Sequence, residues 1–240
     1  MLKSRWFYCS SNFFNQAYAN DLKSTEYKVS SPKSEFEFSL ILPECVEPAW
    51  MVCFLDVKLL INKRDEKTKK ALQVLEIEMG VPKSEAIKEM LFVETRSLDN
   101  IDSLGHKIFK IGDFNFDGYT DFALMTGAAG GYGTPSYTFY IFDPKKGFFY
   151  EDFKFSALTN QGQIHHYFDY LNKKISVYSR SSSTDSREDI YVVKNNIPNL
   201  LSSTTRVLTN QDGVDKIKVV LMRQDDTGAW TRKSYFEEIE

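Results

Sequence analysis

Asp113, Asn115, Asp117 and Asp121 crowd into the short stretch "GDFNFDGYTD", with Gly118 among them and aromatic residues filling most of the gaps. Carboxylates gathered this closely repel one another, and a bound divalent cation is the usual compensation. The spacing matches the calcium-loop pattern D-x-[DN]-x-[DN]-G, with Asp113 at position 1, Asn115 at 3, Asp117 at 5 and Gly118 at 6. Tyr119 at position 7 offers its backbone carbonyl, and Asp121 stands at 9. These are hard oxygen donors, suited to Ca2+ rather than Zn2+. Gly118 supplies a sharp turn that a Cβ would obstruct.

An EF-hand closes on a bidentate Glu at position 12, where this chain has Leu124. The flanking segments alternate like strands, so the expected site is a strand-loop-strand calcium loop in which Asp121 takes the closing role. A metal-free turn rich in Asp, Asn and Gly and a vestigial site of very weak affinity are the competing readings. The fragment "NQDGVD" (Asn210–Asp215) has similar residue types without the spacing and reads as a plain turn.

Little else in the chain suggests catalysis. His106, His165 and His166 are the only histidines, and the adjacent pair points to opposite faces of a strand, which argues against a zinc site. "GAAGGYGT" (Gly127–Thr134) lies between strands without the helix whose N-terminus would hold a phosphate, and reads as a flexible loop. No serine sits in a nucleophile elbow. No catalytic residue is assigned, and a non-enzymatic role is expected.

The elements that must position the aspartate loop are strands. "FEFSLIL" sets Phe36, Phe38, Leu40 and Leu42 on one face, and "CFLDVKLLI" does the same with Cys53, Leu55, Val57, Leu59 and Ile61. Similar alternation recurs to the C-terminal region, with "FFYEDFKF" among the strand candidates and separators such as "DPKKG", "NQDG" and "DDTG" suited to antiparallel hairpins. "VPKSEAIKEML" has Pro82 near a possible start and apolar residues at helical spacing, so helix and strand both remain open there. The 15% aromatic share fits an all-β fold: an antiparallel meander of about a dozen strands, as an irregular propeller or a sandwich.

A net charge of −3 gives no electrostatic reason to bind nucleic acid. No apolar run reaches the roughly 20 residues of a transmembrane segment. Lys3 and Arg5 precede an aromatic stretch, and Ala17-Tyr18-Ala19 has the small-x-small form of a signal-peptidase site, so residues 1–19 read as a possible signal peptide. A polar segment, 20–35, would then lead into a single calcium-binding β domain, 36–240. Loss of Cys9 with the leader would leave Cys45 and Cys53, read as a disulfide across "CVEPAWMVC" with two buried thiols as the alternative.

Three stretches in order, "IGDFNFDGYTDFAL", "YTFYIFDPKKGFF" and "KKISVYSRSSSTDSREDIY", resemble the small calcium-binding, propeller-like immunity proteins of bacteria that kill neighbours through a type IV secretion system. Related folds occur in periplasmic lysozyme inhibitors, and the loop by itself resembles those of integrin-type propeller repeats. The resemblance implies a periplasmic or otherwise extracytoplasmic protein that plugs a lysozyme-like peptidoglycan hydrolase while a calcium ion braces its loops. The matching partner-binding turn is Ser179, Arg180, Ser181, Ser182 and Ser183, preceded by Tyr178, and Tyr132 in the Gly-rich loop is the second candidate. The turn departs from the Ser-Gly-x-x-Tyr motif common in lysozyme inhibitors, because Arg180 and a serine run follow Ser179. Its chemistry suits that role, since Ser hydroxyls donate to carboxylates, Arg180 or Arg187 can form bidentate pairs, and a muramidase cleft is lined with carboxylates; a solvated loop with no partner is the alternative reading of the turn. The alternative function is a calcium-stabilised adhesion or scaffold domain binding a protein or glycan.

Overall fold

The computed structural model describes residues 24–31, 34–44, 52–64, 71–82, 93–94, 107–129, 134–159 and 163–238. Within them, fifteen strands form three sheets, each made of consecutive strands. The first holds β1 (Ser24–Ser30), β2 (Phe36–Pro43), β3 (Val52–Lys63) and β4 (Gln73–Pro82) in that order. The second holds β5 (Val93–Glu94), β6 (Phe109–Gly112), β7 (Asp121–Ala129), β8 (Thr134–Asp143) and β9 (Phe148–Glu151). After the short helix α1 (Phe153–Ala157), the third runs through β10 (Gln163–Asp169), β11 (Lys174–Arg180), β12 (Ser186–Lys194), β13 (Ile197–Gln211), β14 (Val214–Gln224) and β15 (Trp230–Glu238). All neighbours pair antiparallel except β5 and β6, which pair in parallel.

The alternation read from the sequence sorts residues as expected. Phe36, Phe38, Leu40 and Leu42 of β2 and Val57, Leu59 and Ile61 of β3 are buried, while Glu37, Asp56 and Lys58 point to water. Their apolar face meets the second sheet across a phenylalanine cluster. Phe36 lies 4.9 Å from Phe149 and 4.8 Å from Phe142, and Phe38 lies 5.1 Å from Phe109 and 5.4 Å from Phe122, all tilted or edge-on. Such geometry sets the positive ring edge against a negative ring face.

A second tie between these sheets is polar. The Gln73 side chain donates from Nε2 to the Phe149 carbonyl and accepts from the Phe149 N–H at Oε1, both at 2.8 Å. One amide thus substitutes for a neighbouring strand at the start of β9.

Four local differences from the sequence reading have physical causes. β1 falls inside the polar 20–35 segment, where Tyr27 and Val29 supply an alternating face that pairs with β2. "FFYEDFKF" is not one strand: β9 stops at Glu151, and Asp152 caps α1 by accepting the Lys154 and Phe155 N–H groups at 2.8 and 3.1 Å. Gly127, Ala128, Ala129 and Thr134 belong to the β7–β8 ladder rather than to a loop. β13, polar through Ser202, Ser203, Thr204 and Thr205, is a strand that the alternation did not signal. Of the possible helix at 81–91, Val81 and Pro82 belong to β4 and the rest lies outside the described residues, as do the leader 1–19 and His106.

The third sheet is asymmetric. Phe168, Ile175 and Val177 of β10 and β11 join the core, whereas in β13–β15 Val219 is the buried apolar residue among those described. Two-residue turns at Asn195-Asn196 and Asp212-Gly213, with positive φ at both positions, connect β12 to β13 and β13 to β14 in the manner of type I′ hairpins.

Replacing Gln73 by Glu keeps the acceptor for the Phe149 N–H but sets a carboxylate against the Phe149 carbonyl. The expected loss of stability is about 1–3 kcal/mol by chemical denaturation. A change of a few tenths would remove this amide from the account of how the two sheets join.

Candidate functional site

The aspartate loop connects β6 to β7, and its side chains divide by position. Those at the ligand positions fold back on the loop's own backbone. Asp113 accepts from the Asp117 N–H at Oδ1 (2.9 Å) and from the Gly118 N–H at Oδ2 (2.8 Å). Asn115 Oδ1 also accepts from the Asp117 N–H at 3.2 Å, and its Nδ2 donates to Asp117 Oδ2 at 2.8 Å. Asp117 Oδ1 in turn accepts from the Tyr119 N–H at 2.9 Å. Successive N–H groups turned toward carboxylates make a tight anionic cradle.

Gly118 has φ 95°, which its missing Cβ permits, and Phe116 reaches φ 59° without that relief. Buried contacts hold Phe116 there.

The intervening aromatics face the other way. Phe114 is fully buried, with ring centroids 4.9 Å from Phe139 of β8 and 5.1 Å from Phe168 of β10. Phe116 packs edge-on against Tyr170 at 5.3 Å, and Lys173, in the turn after β10, donates from Nζ to the Phe116 carbonyl at 3.1 Å. Alternation thus serves two purposes at once: oxygens line the inside of the loop, and phenylalanines dock the third sheet's first hairpin.

Asp121, at the start of β7, is 0% exposed. Its Oδ2 accepts from the Phe114 N–H at 2.8 Å and its Oδ1 from the Phe142 N–H at 2.9 Å, so one carboxylate ties loop entry to the end of β8. Burial pushes this carboxyl well above the usual carboxylate range; the nearby charges of Asp117 and Asp113 push the same way, against the two N–H groups that favour the anion.

Among the described residues, no three His, Cys, Asp or Glu side chains converge in an arrangement that could hold a metal by themselves. The donor chemistry nonetheless fits a hard cation. An ionised carboxylate offers about four lone-pair sites. Asp113 and Asp121 each accept two backbone N–H bonds, and Asn115 and the Tyr119 carbonyl are neutral oxygen donors. Beside Asp117 lies a cleft of about 250 Å³, bordered by Phe142, Asp143, Tyr150 and Asn196.

The serine-rich turn joins β11 to β12, at the end of β11 opposite the turn that carries Lys173. It is internally bonded: Ser182 Oγ accepts from the Thr184 and Asp185 N–H groups at 3.2 and 2.9 Å, and Arg180 Nη2 donates to the Ser183 carbonyl. Arg187 shares its Nε–H between the two carboxylate oxygens of buried Asp189, at 2.9 and 3.0 Å, which raises the guanidinium's proton affinity further. Arg180 and Ser181–Ser183 are exposed, while Tyr178 and Ser179 are half-buried. Tyr132 and Cys45 lie outside the described residues, and with them the second partner candidate and the Cys45–Cys53 bridge. His166 is a satisfied core histidine, its Nε2 3.2 Å from the Leu158 carbonyl.

The sequence reading did not anticipate Phe114, Phe116, Lys173 or the Asp185 carboxylate, whose Oδ1 accepts the Leu208 N–H at 3.1 Å and pins the turn to β13. The alternating Phe residues were the available signal for the first two.

Comparison with protein-family models and with curated proteins gives no match. Among solved structures, the fold is similar to that of a Xanthomonas type IV secretion system related protein, with a TM-score of 0.64 and 20% sequence identity over 90% of this chain and 95% of that one. That likeness is one of fold, and the fold of this chain is all-β, in three successive sheets. No helix among the described residues is long and apolar enough to cross a membrane.

Replacing Asp121 by Ala leaves the buried N–H of Phe114 and the partly buried N–H of Phe142 without their acceptor. The expected cost is about 1–3 kcal/mol for each group. Chemical denaturation that finds less than 1 kcal/mol in total would show that Asp121 does not tie the loop to β8.

Proposed function

We propose that this protein is an extracytoplasmic immunity protein that binds and inhibits a lysozyme-like peptidoglycan hydrolase without a catalytic step of its own, braced by a structural Ca2+. The observation that carries this reading is the fold likeness, over 90% of this chain, to a type IV secretion system related protein. The resemblance of the three ordered segments to calcium-binding immunity proteins agrees with it, and the three consecutive meander sheets suit an irregular propeller-like arrangement.

Asp113, Asn115, Asp117, the Tyr119 carbonyl and Asp121 would hold the ion. Its charge would offset the mutual repulsion of the three aspartates and the burial of Asp121. The chain's own residues do the rest: Phe114 and Phe116 transmit the loop's rigidity to β10 and its turn. At the partner surface, Arg180, Ser181 and Ser182 present donors on a turn already ordered by its internal bonds, which lowers the entropy lost on binding a carboxylate-lined cleft.

Calcium is expected to raise the thermal midpoint and EDTA to lower it, with Asp117→Ala abolishing the response. An unchanged melt in millimolar Ca2+, the range in which extracellular modules bind at about 10⁻⁴ to 10⁻³ M, would remove the ion from the account. Purified protein is expected to slow peptidoglycan digestion by a muramidase encoded beside it, and the paired change Arg180→Ala and Ser181→Ala to weaken inhibition at least tenfold, about 1.4 kcal/mol, with the melt preserved. If no co-resident muramidase is inhibited, the adhesion or scaffold reading replaces this one.

A further inference from the structure

β15 closes the third sheet, and among the described residues no strand pairs with its outer edge. An open edge presents a row of N–H and C=O groups to any complementary strand. Every β15 side chain except Glu237 is exposed, including Trp230, Tyr235 and Phe236. The charges are segregated along the strand: Arg232 and Lys233 precede Tyr235, and Glu237 and Glu238 follow it. We propose that this edge pairs with the same edge of a second copy of the chain, joining two third sheets into one continuous antiparallel sheet.

Symmetry restricts the register. A two-fold axis normal to the sheet makes the two edge strands antiparallel and keeps each face on its own side. Because side chains alternate, odd-numbered residues then meet odd-numbered ones and even meet even. Centring the axis on Lys233 sets like charges together, and centring it on Ser234 sets Arg232 against Phe236 and Lys233 against Tyr235. Centring it on Phe236 places Ser234 opposite Glu238. Only Tyr235 at the axis makes Arg232 meet Glu238 and Lys233 meet Glu237, each twice by symmetry.

Lysine on an edge strand normally discourages pairing, since it has no counter-charge across the gap. Here the second copy supplies one. Glu237 already lies 3.9 Å from Arg206 Nε, so in the pair it would stand between two cations. The contact is narrow, and a reversible, concentration-dependent dimer is expected rather than an obligate one.

Sedimentation of the full chain over a concentration series tests this. The wild type is expected to dimerise reversibly and less strongly in added salt. Lys233→Glu and Glu237→Lys should each weaken self-association about tenfold or more while leaving the thermal midpoint in place. An equimolar mixture of the two variants should dimerise again, because each then offers the charges the other lacks. A wild type that stays monomeric throughout, or a dimer indifferent to both reversals, overturns the proposal.

Discussion

Asp121 brings a carboxylate into a position without solvent, and the N–H groups of Phe114 and Phe142 receive both of its oxygens. Both bonds favour the charged form of the carboxyl, against a burial that outweighs them and two nearby aspartates that add to it. The loop shape depends on this constraint. With Phe114 fixed at its entry and Asp121 at its exit, the intervening chain has to turn sharply, which places Gly118 and Phe116 at positive φ and aims the side chains of Asp113, Asn115 and Asp117 inward.

The same constraint reaches the other sheets through aromatic contacts. Phe114 and Phe116 sit between the second sheet and the β10 hairpin, while Phe142, whose N–H meets Asp121, packs on Phe36 of β2. A polar loop on the surface is therefore continuous with a phenylalanine core beneath it. Anything that stiffens the loop, an ion included, acts on packing between all three sheets.

Much of this was legible from residue order. Period-two alternation located β2 and β3 because one face of each is buried against another sheet, so the pattern and the packing share a cause. It was silent on β13, whose Ser and Thr residues lie in a part of the sheet with little core to cover. Its backbone pairing with β12 and β14 leaves no hydrophobic trace. The helix after β9 was hidden by the run of Phe and Tyr, since the cap at Asp152 rather than periodicity starts it. At the loop, the ligand-type spacing was readable, but the commitment of those oxygens to backbone N–H groups was not, because it depends on how the chain closes in space. Gln73 and Phe149 illustrate the limit: nothing local relates residues so far apart in the chain.

Because each sheet is built from one contiguous segment, a ribosome or translocation pore releasing the chain in order would deliver the sheets one at a time. The first two could assemble on arrival, yet Phe114 and Phe116 would keep part of their aromatic surface wet until Phe168 and Tyr170 emerged. During that interval the nascent polypeptide carries a sticky patch beside an acidic one.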